Sequence, residues 1–147
     1  MAANLKHNVK LDNLTMTLDI SWFEKQFADA QYKLDTMVMT DMVPYMPMQT
    51  GTFINVTKAM SSALAGTGIV VAAAPPMGRY LYEGKAMVGE RSRSAWAKRG
   101  EKKVLNGKNL QYSRNHHPKA QSHWFDAAKA ARGDKWVKEV KKIAGGG

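Results

Sequence analysis

The chain has 147 residues, 44% hydrophobic and 9% aromatic, with a formal net charge of +10. It is too apolar to be disordered and long enough for one domain with a sizeable core, taken here as residues 1–147. The absence of cysteine excludes a disulfide scaffold, a thiolate zinc site and a cysteine nucleophile together.

Met1-Ala2-Ala3-Asn4-Leu5-Lys6-His7 has no apolar signal-peptide core, and no stretch approaches the roughly 18 apolar residues of a membrane span. A soluble protein, made and used without secretion machinery, is expected. Leu14-Thr15-Met16-Thr17-Leu18-Asp19-Ile20 alternates apolar and polar residues, which predicts a half-buried strand with Leu14, Met16, Leu18 and Ile20 inward. Ser21-Trp22-Phe23-Glu24 has the spacing of a capping box, so a helix is expected to start there. Phe23, Phe27, Ala30, Leu34, Val38 and Met42 recur at helical spacing, with Lys25, Asp29, Lys33 and Asp35 on the wet side. Val43 precedes Pro44, so the helix runs from Trp22 to Val43 over roughly 33 Å.

Pro44-Tyr45-Met46-Pro47-Met48-Gln49-Thr50-Gly51-Thr52-Phe53 is a corner. Its prolines lack the amide proton of a helix interior, and Gly51 supplies the backbone freedom of a turn. Pro44, Pro47, Thr50 and Gly51 are its structural residues, expected to join helix to sheet. Met37, Met39, Met42, Met46 and Met48 cluster here and read as adaptable core or contact surface. Phe53-Ile54-Asn55-Val56-Thr57 and Ile69-Val70-Val71-Ala72-Ala73, separated by the turn Ala65-Gly66-Thr67-Gly68, predict a β-hairpin. Gly78 to Gly84 predicts a short turn or helix closed by glycine.

Charge then becomes uneven. Through residue 90 the chain holds 7 basic and 8 acidic residues, a net −1; from residue 91 it holds 15 and 4, a net +11. Such asymmetry points to a nucleic acid or an acidic protein surface, or to a solvated basic face. From about 88 to 114 periodicity dissolves into a glycine-punctuated loop, long enough to carry function or to order on assembly. Its candidate contacts with a partner or with DNA are Arg91, Arg93, Trp96, Lys98, Arg99, Lys102, Lys103 and Lys108. Pro118 is placed for a helix start, Gly133 for a break and Asp134 for the cap of a last helix, before a fraying tail at Gly145-Gly146-Gly147.

No catalytic residue, cofactor or metal is expected. His116, His117 and His123 lack a carboxylate at the spacing of a zinc helix, and Gly66-Thr67-Gly68 and Gly78 make no phosphate loop. Arg132-Gly133-Asp134 is explained as helix break and cap. No serine sits in a nucleophile elbow and no carboxylate pair stands out.

Three segments in order resemble the minor capsid proteins of tailed bacteriophages, of the neck or tail-completion kind. They are Val43 to Phe53, with proline, then Thr-Gly, then strand; Gly66-Thr67-Gly68 followed by Ala73-Ala74-Pro75-Pro76-Met77-Gly78-Arg79-Tyr80-Leu81-Tyr82-Glu83-Gly84-Lys85; and His117-Pro118-Lys119-Ala120-Gln121-Ser122-His123-Trp124-Phe125-Asp126-Ala127-Ala128-Lys129. The resemblance runs from about Ser21 to Ala144, and Arg91 to Arg114 lies outside its motifs. It implies an α+β subunit, with a long N-terminal amphipathic helix on a small, mainly antiparallel sheet and C-terminal helices. It implies a non-enzymatic structural protein of the virion neck, assembled in the host bacterial cytoplasm. It further implies a homo-oligomeric ring, hexameric in preference to dodecameric, between head-closure and tail-terminator proteins. Genomic DNA in the channel is a further contact, and no membrane is involved. The competing reading is a nucleic-acid-binding protein that uses the basic C-terminal part.

Overall fold

A computed structural model describes residues 6–145. Among them the chain forms two antiparallel hairpins and four α-helices, a mixed α+β fold as expected. The two hairpins are separate two-stranded sheets. The strand expected from Leu14 is β2 (Leu14–Asp19), and it pairs with β1 (Lys6–Leu11), which sequence patterning did not reveal. The expected inward face is the main correction here. Leu14, Met16 and Leu18 are 60%, 56% and 56% exposed, because the hairpin pairs with itself and stands clear of the helical body.

Helix α1 (Ser21–Met42) matches its expected span. The capping box does not form. Instead the Asp19 carboxylate accepts the Ser21 backbone N–H at 3.0 Å and the Ser21 hydroxyl at 2.6 Å, which holds its pKa below the ordinary carboxylate range. Ala30, Val38, Met39 and Met42 face the core, whereas Phe23 and Phe27 lie exposed on the turns nearest the hairpin. Asp35, placed by pattern on the wet side, is buried. Its carboxylate accepts N–H groups from Gly66 at 2.8 Å, Gly68 at 3.0 Å and Gln31 at 2.8 Å.

Pro44 lies in a single 3-10 turn, Val43–Tyr45. Gly51 has φ +81, the left-handed conformation that glycine adopts at least cost, and immediately precedes α2 (Thr52–Leu64). The joint is therefore between two helices, and the expected Phe53 strand does not exist. Its β-branched residues fit a helix because Ile54, Thr57 and Ser61 fall on one buried face at intervals of three and four. The apolar run Ile69 to Ala73, expected as the second strand, forms no ladder. Side chains of α2 replace one. The Ser61 hydroxyl donates to the Val71 carbonyl and accepts the Val71 N–H, both at 2.9 Å, and the Thr57 hydroxyl accepts the Ala74 N–H at 3.2 Å.

Helix α3 (Gly78–Glu83) ends at Gly84, φ +67, as the sequence indicated. Residue 78 is glycine because a Cβ there would lie 2.5 Å from the Ala73 carbonyl carbon. The expected loop contains a second hairpin, β3 (Lys85–Gly89) and β4 (Lys103–Asn109). Pro118 starts no helix. The segment that follows it is tied to the corner and to α3: the Gln121 N–H donates to the Tyr45 carbonyl at 3.1 Å, and the His123 N–H to the Tyr82 carbonyl at 2.9 Å.

Helix α4 (Trp124–Ile143) then runs unbroken through Gly133, and Asp134 caps nothing. A mid-helix glycine costs about 1 kcal/mol against alanine. That cost is outweighed by one face on which Trp124, Ala128 and Trp136 are buried. The Trp136 indole also donates to the Asp41 carboxylate at 2.7 Å. Helix α1 packs chiefly on α4, and the core between them includes Met42, Met46, Ile54 and Trp124. The methionine cluster is thus largely core. Of the predicted tail, Gly146 and Gly147 lie outside the described residues.

Candidate functional site

The seven basic candidates and Trp96 all lie on one arm, and all eight are exposed: Arg91, Arg93, Trp96, Lys98, Arg99, Lys102, Lys103 and Lys108. Strands β3 and β4 bring them there, with Val88 opposite Val104 and Gly89 opposite Lys103. Residues 90–102 form the tip. Far from shapeless, the tip is wound around one side chain that sequence reading did not single out. Glu101 is the only acid between Arg91 and Lys108.

The Glu101 carboxylate accepts four hydrogen bonds. One oxygen takes the N–H groups of Arg91 at 2.7 Å and Ser92 at 2.6 Å; the other takes the Ser92 hydroxyl at 2.9 Å and the Lys98 N–H at 2.8 Å. Gly89 makes room for this knot, since a Cβ there would lie 2.4 Å from the Ser92 hydroxyl and 2.6 Å from the Glu101 carboxyl carbon. Arg93 takes φ +53 at the turn, and its N–H returns to the Gly89 carbonyl at 3.0 Å. The tip is therefore fixed by backbone bonds, leaving the long cationic side chains outside. Arg91, Lys98 and Arg99 border a shallow cleft of about 370 Å³, and Trp96 beyond it is 86% exposed.

The donors from Ser92, Lys98 and Arg91 lower the Glu101 pKa to about 2, from an ordinary 4.5. A carboxyl with a depressed folded-state pKa stabilises the fold above its unfolded pKa, and that contribution fades as pH falls through the folded value. The tip is therefore expected to stay knotted at pH 4.5 and to loosen only towards pH 2. In an NMR titration, the Arg91, Ser92 and Lys98 amide shifts should move together with a midpoint near 2. A midpoint near 4.5 would show that the carboxyl is free in solution.

The corner residues do not join the arm tip. Pro47, Thr50 and Gly51 line a separate groove of about 340 Å³ with Phe53, Pro76 and Tyr112, while Pro44 lies outside it. Tyr112 donates its hydroxyl to the Leu81 carbonyl, and burial raises its pKa. The histidines are dispersed in role: His117 Nδ1 lies 2.8 Å from the Met46 carbonyl, and His123 Nε2 is 3.8 Å from Glu83. Among the described residues no group of three or more histidine and acidic side chains could hold a metal ion, and no helix is long and apolar enough to cross a membrane.

The second surface missed from sequence is apolar. Leu14, Met16 and Leu18 on β2 are exposed, as are Trp22, Phe23 and Phe27 at the start of α1, with the Trp22 and Phe23 rings stacked at 3.8 Å. The alternation and the helical period that suggested a core mark this face equally well. No protein-family model, curated protein or solved structure matches the chain.

Proposed function

We propose that the chain is a non-enzymatic structural subunit of a tailed-bacteriophage virion, a neck or tail-completion protein that joins capsid to tail around the DNA channel. Two kinds of observation support the reading. The three ordered segments from Val43 to Lys129 resemble that family. The single structural observation that carries most weight is the exposure of Leu14, Met16 and Leu18 on β2 and of Trp22, Phe23 and Phe27 at the start of α1. Exposed apolar side chains in such number mark an interaction site, and both edges of the β1–β2 hairpin are open to added strands. In a ring, each subunit presents one surface to the preceding copy and another to the next. The neighbours in this reading are further copies, hexameric in preference to dodecameric, with head-closure and tail-terminator proteins above and below.

Light scattering on the purified chain, alone and with its head-closure and tail-terminator partners, tests this. The expected result is a ring or a stable complex that Phe27→Asp or Leu18→Asp breaks into monomers. A wild-type chain that stays monomeric with every partner would refute it.

A further inference from the structure

We propose that the tip of the β3–β4 arm is a binding site for the phosphate backbone of nucleic acid. Arg91, Arg93, Lys98 and Arg99 supply the cations, and Trp96 supplies an apolar face for sugar or base. Among the described residues, Glu101 forms no ion pair with a cation of the arm. Both of its oxygens are occupied by hydrogen bonds from its own loop, so this carboxylate is engaged by backbone and serine donors; Glu90 is the other acid of the tip. Among the described residues the ion pairs are Lys6–Asp19, His123–Glu83 and Lys142–Glu139, and none involves an arm cation.

Like charges on a mobile loop would spread apart. Here the backbone knot holds Arg91, Lys98 and Arg99 around one cleft, and Gly89 is shaped to permit that knot. Residues 90–102 hold five cations, Arg91, Arg93, Lys98, Arg99 and Lys102, against the two carboxylates of Glu90 and Glu101, and a fixed cluster with that excess of positive charge is the arrangement that a polyanion stabilises.

Nucleic acid fits better than an acidic protein surface because of Trp96. A tryptophan 86% exposed on the same tip as four cations offers stacking together with charge, the pairing found in phosphate-tracking grooves. The arm also has a suitable shape, since a two-stranded ribbon enters the major groove of a duplex. The basic side of α4, with Lys135, Lys138, Lys141 and Lys142, lacks this pairing because its tryptophans, Trp124 and Trp136, are buried. It reads as a solvated face. The inference does not depend on the neck reading, because DNA binding by a chain that never assembles would uphold this site and sink the other.

Fluorescence anisotropy with a labelled duplex and a single strand tests it. Four phosphate contacts predict a duplex affinity that falls roughly 100-fold between about 50 and 200 mM salt, a log–log slope near −3.6. Combined Arg91→Gln, Arg93→Gln, Lys98→Gln and Arg99→Gln should remove most of that slope. Lys98→Gln or Arg99→Gln alone should reduce it by about 1, which keeps the test intact if the combined variant folds poorly. Trp96→Ala should weaken the single strand by roughly tenfold or more, and the duplex less. The control, Lys135→Gln with Lys138→Gln, Lys141→Gln and Lys142→Gln, should leave both nearly unchanged. The proposal is overturned if the arm variants bind as wild type, if the loss follows the α4 variant instead, or if polyglutamate of matching length binds as tightly as the duplex.

Discussion

Replacing Trp124 with alanine should cost about 3–5 kcal/mol of stability, the range for deleting a large aromatic side chain from a core. Trp124 is fully buried at the first turn of α4, where several elements converge. Its ring meets Tyr82 of α3 edge-on at 4.9 Å and Phe53 of α2 at 5.9 Å. Its indole N–H donates to the Ala72 carbonyl at 2.8 Å, pinning the run that forms no strand. Trp124→Phe keeps much of the packing and loses that bond, so it should cost less. Urea unfolding of the two variants decides the matter. A loss under about 1 kcal/mol for Trp124→Ala would place this side chain outside the core.

Asp35→Ala should be the next most damaging change, at about 2 kcal/mol or more. The Asp35 carboxylate ties the middle of α1 to the turn after α2 through the N–H groups of Gly66 and Gly68. Alanine leaves those donors and Gln31 without their partner. Asp35→Asn keeps one acceptor oxygen and should fall between alanine and wild type. Both are read from the same urea midpoints. If Asp35→Ala unfolds with the wild-type midpoint, the carboxylate is no clasp.

These two residues also show where sequence reasoning reached and where it stopped. Helix α1 was legible because its apolar period persists until Pro44 ends it, and α3 because Gly84 closes it. The buried position of Asp35 was not legible. Its backbone partners, Gly66 and Gly68, lie more than 30 residues away, and nothing local distinguishes a clasping carboxylate from a wet one. Helix α2 was hidden by the β-type chemistry of Phe53, Ile54, Val56 and Thr57, which tertiary packing overrode. Gly133 suggested a break that the buried face of α4 does not allow.

At the candidate site, composition alone located the cations of the arm. Its order was invisible, because it depends on Glu101 accepting from residues up to ten positions away. The apolar hairpin face was read with the right pattern and the wrong direction, since alternation tells which residues share a side and not what covers it.

The attachment of the arm has a mechanical consequence. The chain leaves the body at Gly84 and returns at Leu110, and the Leu110 N–H donates to the Gly84 carbonyl at 2.9 Å. Both ends of the arm are thereby clamped at one point. A Cβ on Gly84 would lie 2.9 Å from Ser122 and 3.0 Å from the Tyr112 hydroxyl, so little free space surrounds that point. The seven residues of β4 carry the tip roughly 20 Å out. The arm is thus a lever with its fulcrum at Gly84. A sideways pull on the tip is delivered there as torque, next to Tyr112 and the groove that the corner residues line.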